Sequence, residues 1–197
     1  MFVGVFIGLQ ADNWNEASVA RATANTYYAR LAEDMSAELS MRSARVEYLE
    51  RTLSHGEAAL NALNREDGAL STQFLIDMYQ TTQVWFFTTI RSTYDELLAG
   101  GISTIIPDSD LRARVANFYV GLENGATLEA ETTPLRNNLR LYMPHAIQSD
   151  IREHCGDQIQ YLGNNVLQLS LPEVCEIEFD TQGVAGALEE LRQYTLL

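Results

Sequence analysis

Lysine is absent from this chain, and all 13 basic residues are arginine. Without lysine there is no Schiff-base nucleophile and no P-loop cation, so both enzyme classes fall away. Positive charge is scarce altogether: 27 acidic residues leave a formal net charge of -14. Such a balance argues against a phosphate-tracking surface, hence against nucleic acid, and against adhesion to anionic lipid through a basic face. Proline is missing from 13 to 65, which permits a long uninterrupted helix there. Only two cysteines occur, Cys155 and Cys175, and their spacing alone leaves a disulfide and two buried thiols equally open. No internal repeat, low-complexity tract or linker marks a second domain. Against these absences, hydrophobic residues make up 46% of 197, enough for one domain with a sizeable core.

Residues with catalytic chemistry do not assemble into motifs. Helical metal sites set ligands three or four residues apart on one face; of the three histidines, His55, His145 and His154, the first misses Glu50 by one and the last has Glu153 adjacent and pointing elsewhere, so we expect no metal and no cofactor. Surface or capped histidines explain them. No Gly-x-Ser-x-Gly, Ser-x-x-Lys or strand-borne Gly-x-Gly-x-x-Gly occurs. Carboxylate pairs such as Glu129 with Glu131 and Asp108 with Asp110 read as solvated helix faces in so acidic a chain. The sequence names no catalytic residue, and the expectation is a non-enzyme.

The opening "MFVGVFIGLQADNWNEA" is the most informative stretch. Met1 to Leu9 carries no charge, yet as a helix it covers about 14 Å of a hydrocarbon core about 30 Å thick. A secretory signal would need a basic n-region and a small-x-small cleavage site, and the first basic residue is Arg21. The order instead suits the last turns of a longer membrane helix. Phe2, Val3, Val5, Phe6, Ile7 and Leu9 would face lipid, and Trp14 among polar neighbours would mark the membrane–water border. Gly4-x-x-x-Gly8 would allow close helix approach, though two glycines four apart are a weak signal.

The segment "GVFIGLQADNWNEA" resembles the start of a group of bacterial single-pass membrane proteins. There an N-terminal membrane helix ends in Leu-Gln, two variable positions and Asn-Trp-Asn-Glu, matched here by Leu9 to Glu16. A second stretch, "TYDELLAGGISTIIPDSDLRARVANFY", is similar to the same group, with a Tyr-x-x-Leu helix end, a glycine pair and an Asp-x-x-Leu-Arg helix start. Together they cover about a fifth of the chain. The resemblance implies topology and no catalytic residues: residues 1–12 as the end of a membrane-anchoring helix, 13–197 as an extracytoplasmic helical domain.

Beyond the border, Tyr28, Leu31, Met35, Leu39, Val46, Leu49, Leu53, Leu60 and Leu63 recur at three and four residues, with Arg42 and Gly56 in expected apolar slots. The pattern fits one long bundle helix, whose stripe later helices cover, better than a parallel coiled-coil stalk. "REDGALS" (65–71) is a turn, and Ser71 would cap a second helix through about Ala99, inward at Phe74, Leu75, Met78, Trp85, Phe86, Ile90 and Leu97. Its "TTQVWFFTTI" stretch sets Trp85, Phe86 and Phe87 in a row, which one helix face cannot bury, so these three are candidate partner contacts.

Gly100-Gly101 stops that helix and Ile102 to Ile106 is a buried link. A third helix follows Pro107-Asp108 through about Leu122, inward at Leu111, Val115, Phe118, Tyr119 and Leu122. A fourth pattern, about 128 to 154, is broken by Pro134 and Pro144. "VLQLSL" and "VCEIEF" alternate as a hairpin around Pro172, and a last helix spans about 181 to 194.

The expected fold is therefore all-α: a helical bundle whose long first helix continues from a partial membrane helix, with a small irregular or hairpin segment near the C-terminus. By the positive-inside tendency the acidic domain would lie outside the cytoplasm, in a bacterium the periplasm at the inner membrane. That location tips the cysteines toward a Cys155–Cys175 bridge, worth roughly 3 kcal/mol for a 20-residue loop. The role that fits is a membrane-anchored interaction module, an accessory or structural subunit touching the lipid bilayer and a protein partner or a second copy. The alternative is a sensor bundle holding a small ligand between helices and acting through a partner.

Overall fold

The structure is a computed structural model. It describes the backbone of residues 2–65, 70–86, 88–129, 133–162 and 166–193, and side chains from Asn13 onward except at 126–129, 162, 166 and 181. The fold is all-α. The long first helix α1 (Phe2–Leu63) is followed by α2 (Thr72–Gln80), α3 (Ser92–Gly100), α4 (Ile102–Ile105), α5 (Ser109–Glu129), α6 (Pro134–Tyr142) and α7 (His145–Cys155). A two-stranded sheet, β1 (Gln158–Leu162) with β2 (Val166–Ser170), precedes the closing helix α8 (Thr181–Gln193). Among the described residues no helix is long and apolar enough to cross a membrane.

Buried side chains form two cores, and the chain divides into two compact units, 1–39 with 88–128 and 40–87 with 129–197. In the first unit, Leu31 of α1 packs with Tyr94 and Leu97 of α3, Ile106, and Val115, Tyr119 and Leu122 of α5. The last three are inward as their spacing predicts, with Leu111 and Phe118 at the margin. Tyr94 and Tyr119 stack at 4.2 Å between ring centroids. Carboxylates of α1 serve the next element: Asp34 Oδ2 accepts from the Thr93 N–H at 3.3 Å, and Glu38 Oε1 from the Ile90 N–H at 2.5 Å. They satisfy donors at and before the α3 N-terminus, which has no side-chain cap of its own. Gly101 ends α3 with φ +86°, a left-handed conformation that glycine adopts without strain.

In the second unit, α2, α6, α7 and α8 enclose Phe74, Leu75, Ile76, Met78, Tyr79, Leu139, Met143, Ile147, Ile151, Ala187 and Leu191. Cys155 and Cys175 are disulfide-bonded inside this core, with Cα atoms 5.4 Å apart. The Gln80 amide donates to the Cys155 carbonyl at 2.7 Å, closing the C-terminal end of α7. Gln148 Nε2 donates to the Arg140 and Met143 carbonyls and locks the α6–α7 corner.

Several elements differ from the sequence expectation. One helix from 71 to 99 becomes α2 and α3, separated by an extended link. Within it Trp85 lies inward and Phe86 outward, opposite sides as successive residues of a non-helical segment take. The third helix runs on to Glu129, past Asn124-Gly125. Pro134 and Pro144 do break the fourth pattern, Pro134 as first residue of α6 and Pro144 as N-cap of α7. The hairpin pairs "QIQYL" with "VLQLS", antiparallel with Gln160 opposite Gln168, and "VCEIEF" takes no regular structure.

The largest departure lies on α1. Later elements cover Tyr28, Leu31 and Met35 of the predicted stripe and leave it uncovered from Leu39 on. Beyond Leu31 the buried residues of α1 are Glu38, Met41, Ala44, Arg45, Tyr48, Thr52 and Ala59, a mixed face. Leu39, Val46, Leu49, Leu53, Leu60 and Leu63 remain between 37% and 69% exposed.

Candidate functional site

Polar groups that sequence spacing left apart meet in the second unit. His55 Nδ1 lies 2.8 Å from Asp77 Oδ1, which also accepts from Gln73 Nε2 at 3.0 Å. The pair ties α1 to α2 across 22 residues, too far for any helical motif to reveal. His145 and His154 are both exposed, and His154 Nδ1 lies 2.9 Å from the Asp150 carbonyl. Among the described residues no three His, Cys, Asp or Glu side chains cluster to hold a metal ion.

Of the carboxylate pairs, Asp108 caps α5: its Oδ1 accepts from the N–H groups of Asp110 and Leu111 at 2.8 and 3.1 Å. Those bonds hold its carboxyl below the usual range. Glu131 and the Glu129 side chain lie outside the described residues.

A second cluster fixes the extended link. Arg140 of α6 lies 3.5 Å over the Tyr79 ring, donating from Nε to Thr82 Oγ1 at 3.0 Å and from Nη2 to Gln83 Oε1 at 3.1 Å. Arg136 donates to the Thr82 carbonyl. Burial first, then the neighbouring Arg136 and Arg152 charges, pull the Arg140 guanidinium below its usual range, against the effect of Tyr79. The Tyr48 hydroxyl donates to Asp157 Oδ1 at 3.0 Å, and the Tyr48 ring meets Trp85 edge-on at 5.8 Å. Burial raises both Tyr48 and Asp157 above their usual ranges; for Asp157 the Tyr48 hydrogen bond and both arginines act the other way.

A groove of about 320 Å³ lies between α7, the 178–180 segment and α8. Ile147, Phe179 and Ala187 supply apolar floor, while Asp150, Glu178, Asp180 and Glu190 set four carboxylates around it. No basic residue lines it. It lies between the end of the fourth helical pattern and the last helix.

The remaining candidate is a surface. In heptad terms Val46, Leu53 and Leu60 occupy one column of α1 and Leu49 and Leu63 the adjacent one. All five are exposed. Gly56 fills the slot between Leu49 and Leu63 because its Cα faces α2's C-cap: an added Cβ would sit 2.7 Å from Thr81 Oγ1.

The predicted site residues fall as follows. Trp14 is 75% exposed on α1. The side chains of Phe2, Val3, Val5, Phe6, Ile7 and Leu9 lie outside the described residues, as does Phe87. Trp85 is only 1% exposed and lies in the interior, edge-on to Tyr48. Phe86 is 55% exposed. Comparison with protein families, curated proteins and solved structures finds no match for this chain.

Proposed function

We propose that this chain is a membrane-anchored helical interaction module, a non-catalytic accessory or structural subunit of a membrane complex, with its main domain on the periplasmic side of a bacterial inner membrane. The observation that carries the interaction role is the leucine-rich face of α1 left in solvent while a more polar face is buried. Monomeric proteins rarely leave contiguous apolar patches of several hundred Å² uncovered, and larger ones mark interaction sites. The anchor rests on the apolar opening with its Trp14 border and on the resemblance to single-pass proteins. The disulfide supports an oxidising compartment.

Extraction of tagged protein from cells in mild detergent, followed by chemical cross-linking and mass analysis, tests the role. Cross-links from the 46–63 face of α1 are expected. A protein that fractionates as a free monomer with no cross-link on that face would end the reading.

The groove favours a second reading, a sensor for a small organic cation. Four carboxylates around an apolar floor suit a diamine better than an anion. Calorimetry with a simple diamine should show binding that Asp150→Asn with Glu190→Gln abolishes. Heat equal to that of dilution would remove the sensor.

A further inference from the structure

We propose that Arg136, Arg140 and Arg152 form a binding site for a phosphate group, where the C-terminal end of α2 meets α6 and α7. The site lies within the second unit, and none of its residues lines the acidic groove against α8.

Its first support is convergence. Arg136 and Arg140 stand four apart on α6, and both reach Thr82: Arg136 donates to the carbonyl, and Arg140 Nε donates to Oγ1 at 3.0 Å. The third arginine comes from α7. There the Gln148 amide donates to the Arg140 carbonyl at 2.9 Å, and Arg152 stands one turn further along the same face. The end of that turn is pinned to α2, where the Gln80 amide donates to the Cys155 carbonyl at 2.7 Å. Arg152 is close enough that its charge, with that of Arg136, acts on the Arg140 guanidinium.

The second support is an excess of charge. Like charges four apart on one helix repel, and Arg140 is half-buried, where salt screens that repulsion less. Arg30, Arg51 and Arg91 each pair with a carboxylate elsewhere in the chain. Among the described residues, Arg136, Arg140 and Arg152 have no carboxylate within ion-pair distance. Asp157 faces them, held by the Tyr48 hydroxyl that donates to it at 3.0 Å. Three guanidiniums against that carboxylate leave two positive charges over, in a chain whose net charge is -14. Bracing the link accounts for the bonds to Thr82 and Gln83 and gives Arg152 no part.

The free donors choose the ligand. A guanidinium carries five N–H donors in a planar fork. Arg136 spends one on Thr82, and Arg152 donates to none of the described residues. Arg152 and Asp157 are exposed, so the cluster opens to solvent. Such forks take phosphate oxygens two at a time. A phosphate monoester carries about -1.5 to -2 charges at neutral pH and matches the excess, where a carboxylate would leave half of it standing.

The test uses the full chain in mild detergent, with inorganic phosphate as the probe. Calorimetry should show phosphate binding that Arg152→Gln weakens at least about tenfold. Without phosphate that variant should keep its helical circular dichroism and melt no lower than the unaltered protein, since one of three like charges is gone. Phosphate should raise the melting temperature of the unaltered protein and leave that of the variant in place. Arg114→Gln, exposed on α5, should bind phosphate as the unaltered protein does. If Arg152→Gln unfolds, titration of the unaltered protein with phosphate against acetate decides alone.

Phosphatidylcholine vesicles doped with phosphatidate separate two sources of the group. Sedimentation with them that Arg152→Gln lowers assigns a lipid headgroup. Equal sedimentation of both chains, with the calorimetric difference retained, assigns a soluble phosphate ester. Heat equal to that of dilution at millimolar phosphate, undiminished binding by Arg152→Gln, an equal loss in Arg114→Gln, or acetate bound as tightly as phosphate overturns the proposal.

Discussion

The Tyr119 phenol lies inside the first unit with its ring stacked on Tyr94, and its hydroxyl has no hydrogen-bond partner among the described residues. Burial, and then the charges of Asp34 and Glu38, push its pKa up to about 12. The folded state thus holds this proton more tightly than the unfolded chain, whose tyrosine titrates near 10. The stability tied to the neutral phenol is complete below pH 10 and is lost as pH rises through about 12. Alkaline unfolding followed by circular dichroism should therefore steepen above pH 10, and Tyr119→Phe should flatten it. At neutral pH the same substitution should stabilise by roughly 0.5–2 kcal/mol, because a buried unpaired hydroxyl is removed.

Arg140 makes the opposite case. Its fork engages Thr82 and Gln83 while its plane lies on Tyr79, a geometry lysine cannot copy. Arg140→Lys should cost about 1–3 kcal/mol in denaturant melts. Gly56→Ala should fail to deliver the roughly 1 kcal/mol that alanine adds to a helix, since the new Cβ meets Thr81 Oγ1. Adding Thr81→Ala should restore that gain, and a double-mutant cycle with no coupling would refute the contact.

At the scale of elements, the signals that were legible are local ones. Proline at the start of α6 and before α7, the Gly100-Gly101 stop and the Asp108 cap act within a few residues, so spacing reveals them. The extended link between α2 and α3 was not legible. Its start is held by Arg136 on the Thr82 carbonyl and Arg140 on the Thr82 hydroxyl, more than fifty residues later, and no periodicity in 71–99 carries that information. The hairpin was placed one strand too late because "VCEIEF" alternates as convincingly as "QIQYL"; the disulfide at Cys175 holds the later segment against the α-helical core instead. Replacing both cysteines by serine should lower stability by about 2–4 kcal/mol in non-reducing melts. Intact-mass analysis of untreated protein should find no free thiol.

Over the whole molecule, the all-α class followed from composition, the proline-free first third and the helical periods. The choice of buried face on α1 did not. Periodicity ranks faces by hydrophobicity; that ranking finds Tyr28, Leu31 and Met35, which do pack, but over 39–63 the chain buries the less hydrophobic face. Glu38, Tyr48 and Thr52 find partners in Ile90, Asp157 and the helix backbone that no local pattern discloses. The His55–Asp77 pair was hidden for the same reason. The proposed anchor makes its own prediction at this scale: removing residues 1–9 should move the protein from carbonate-washed membranes to the soluble fraction with its helical signal retained. Persistence in the membrane would place the anchor elsewhere.

The bond between Cys155 and Cys175 has one more consequence, for how the chain comes apart. It encloses β1 and β2 in a covalent ring, with α8 hanging from the far side. A protease that clips once anywhere inside that ring opens the polypeptide without parting it. The trimmed product keeps its full mass plus one water and separates into two fragments on a gel only after a reductant is added.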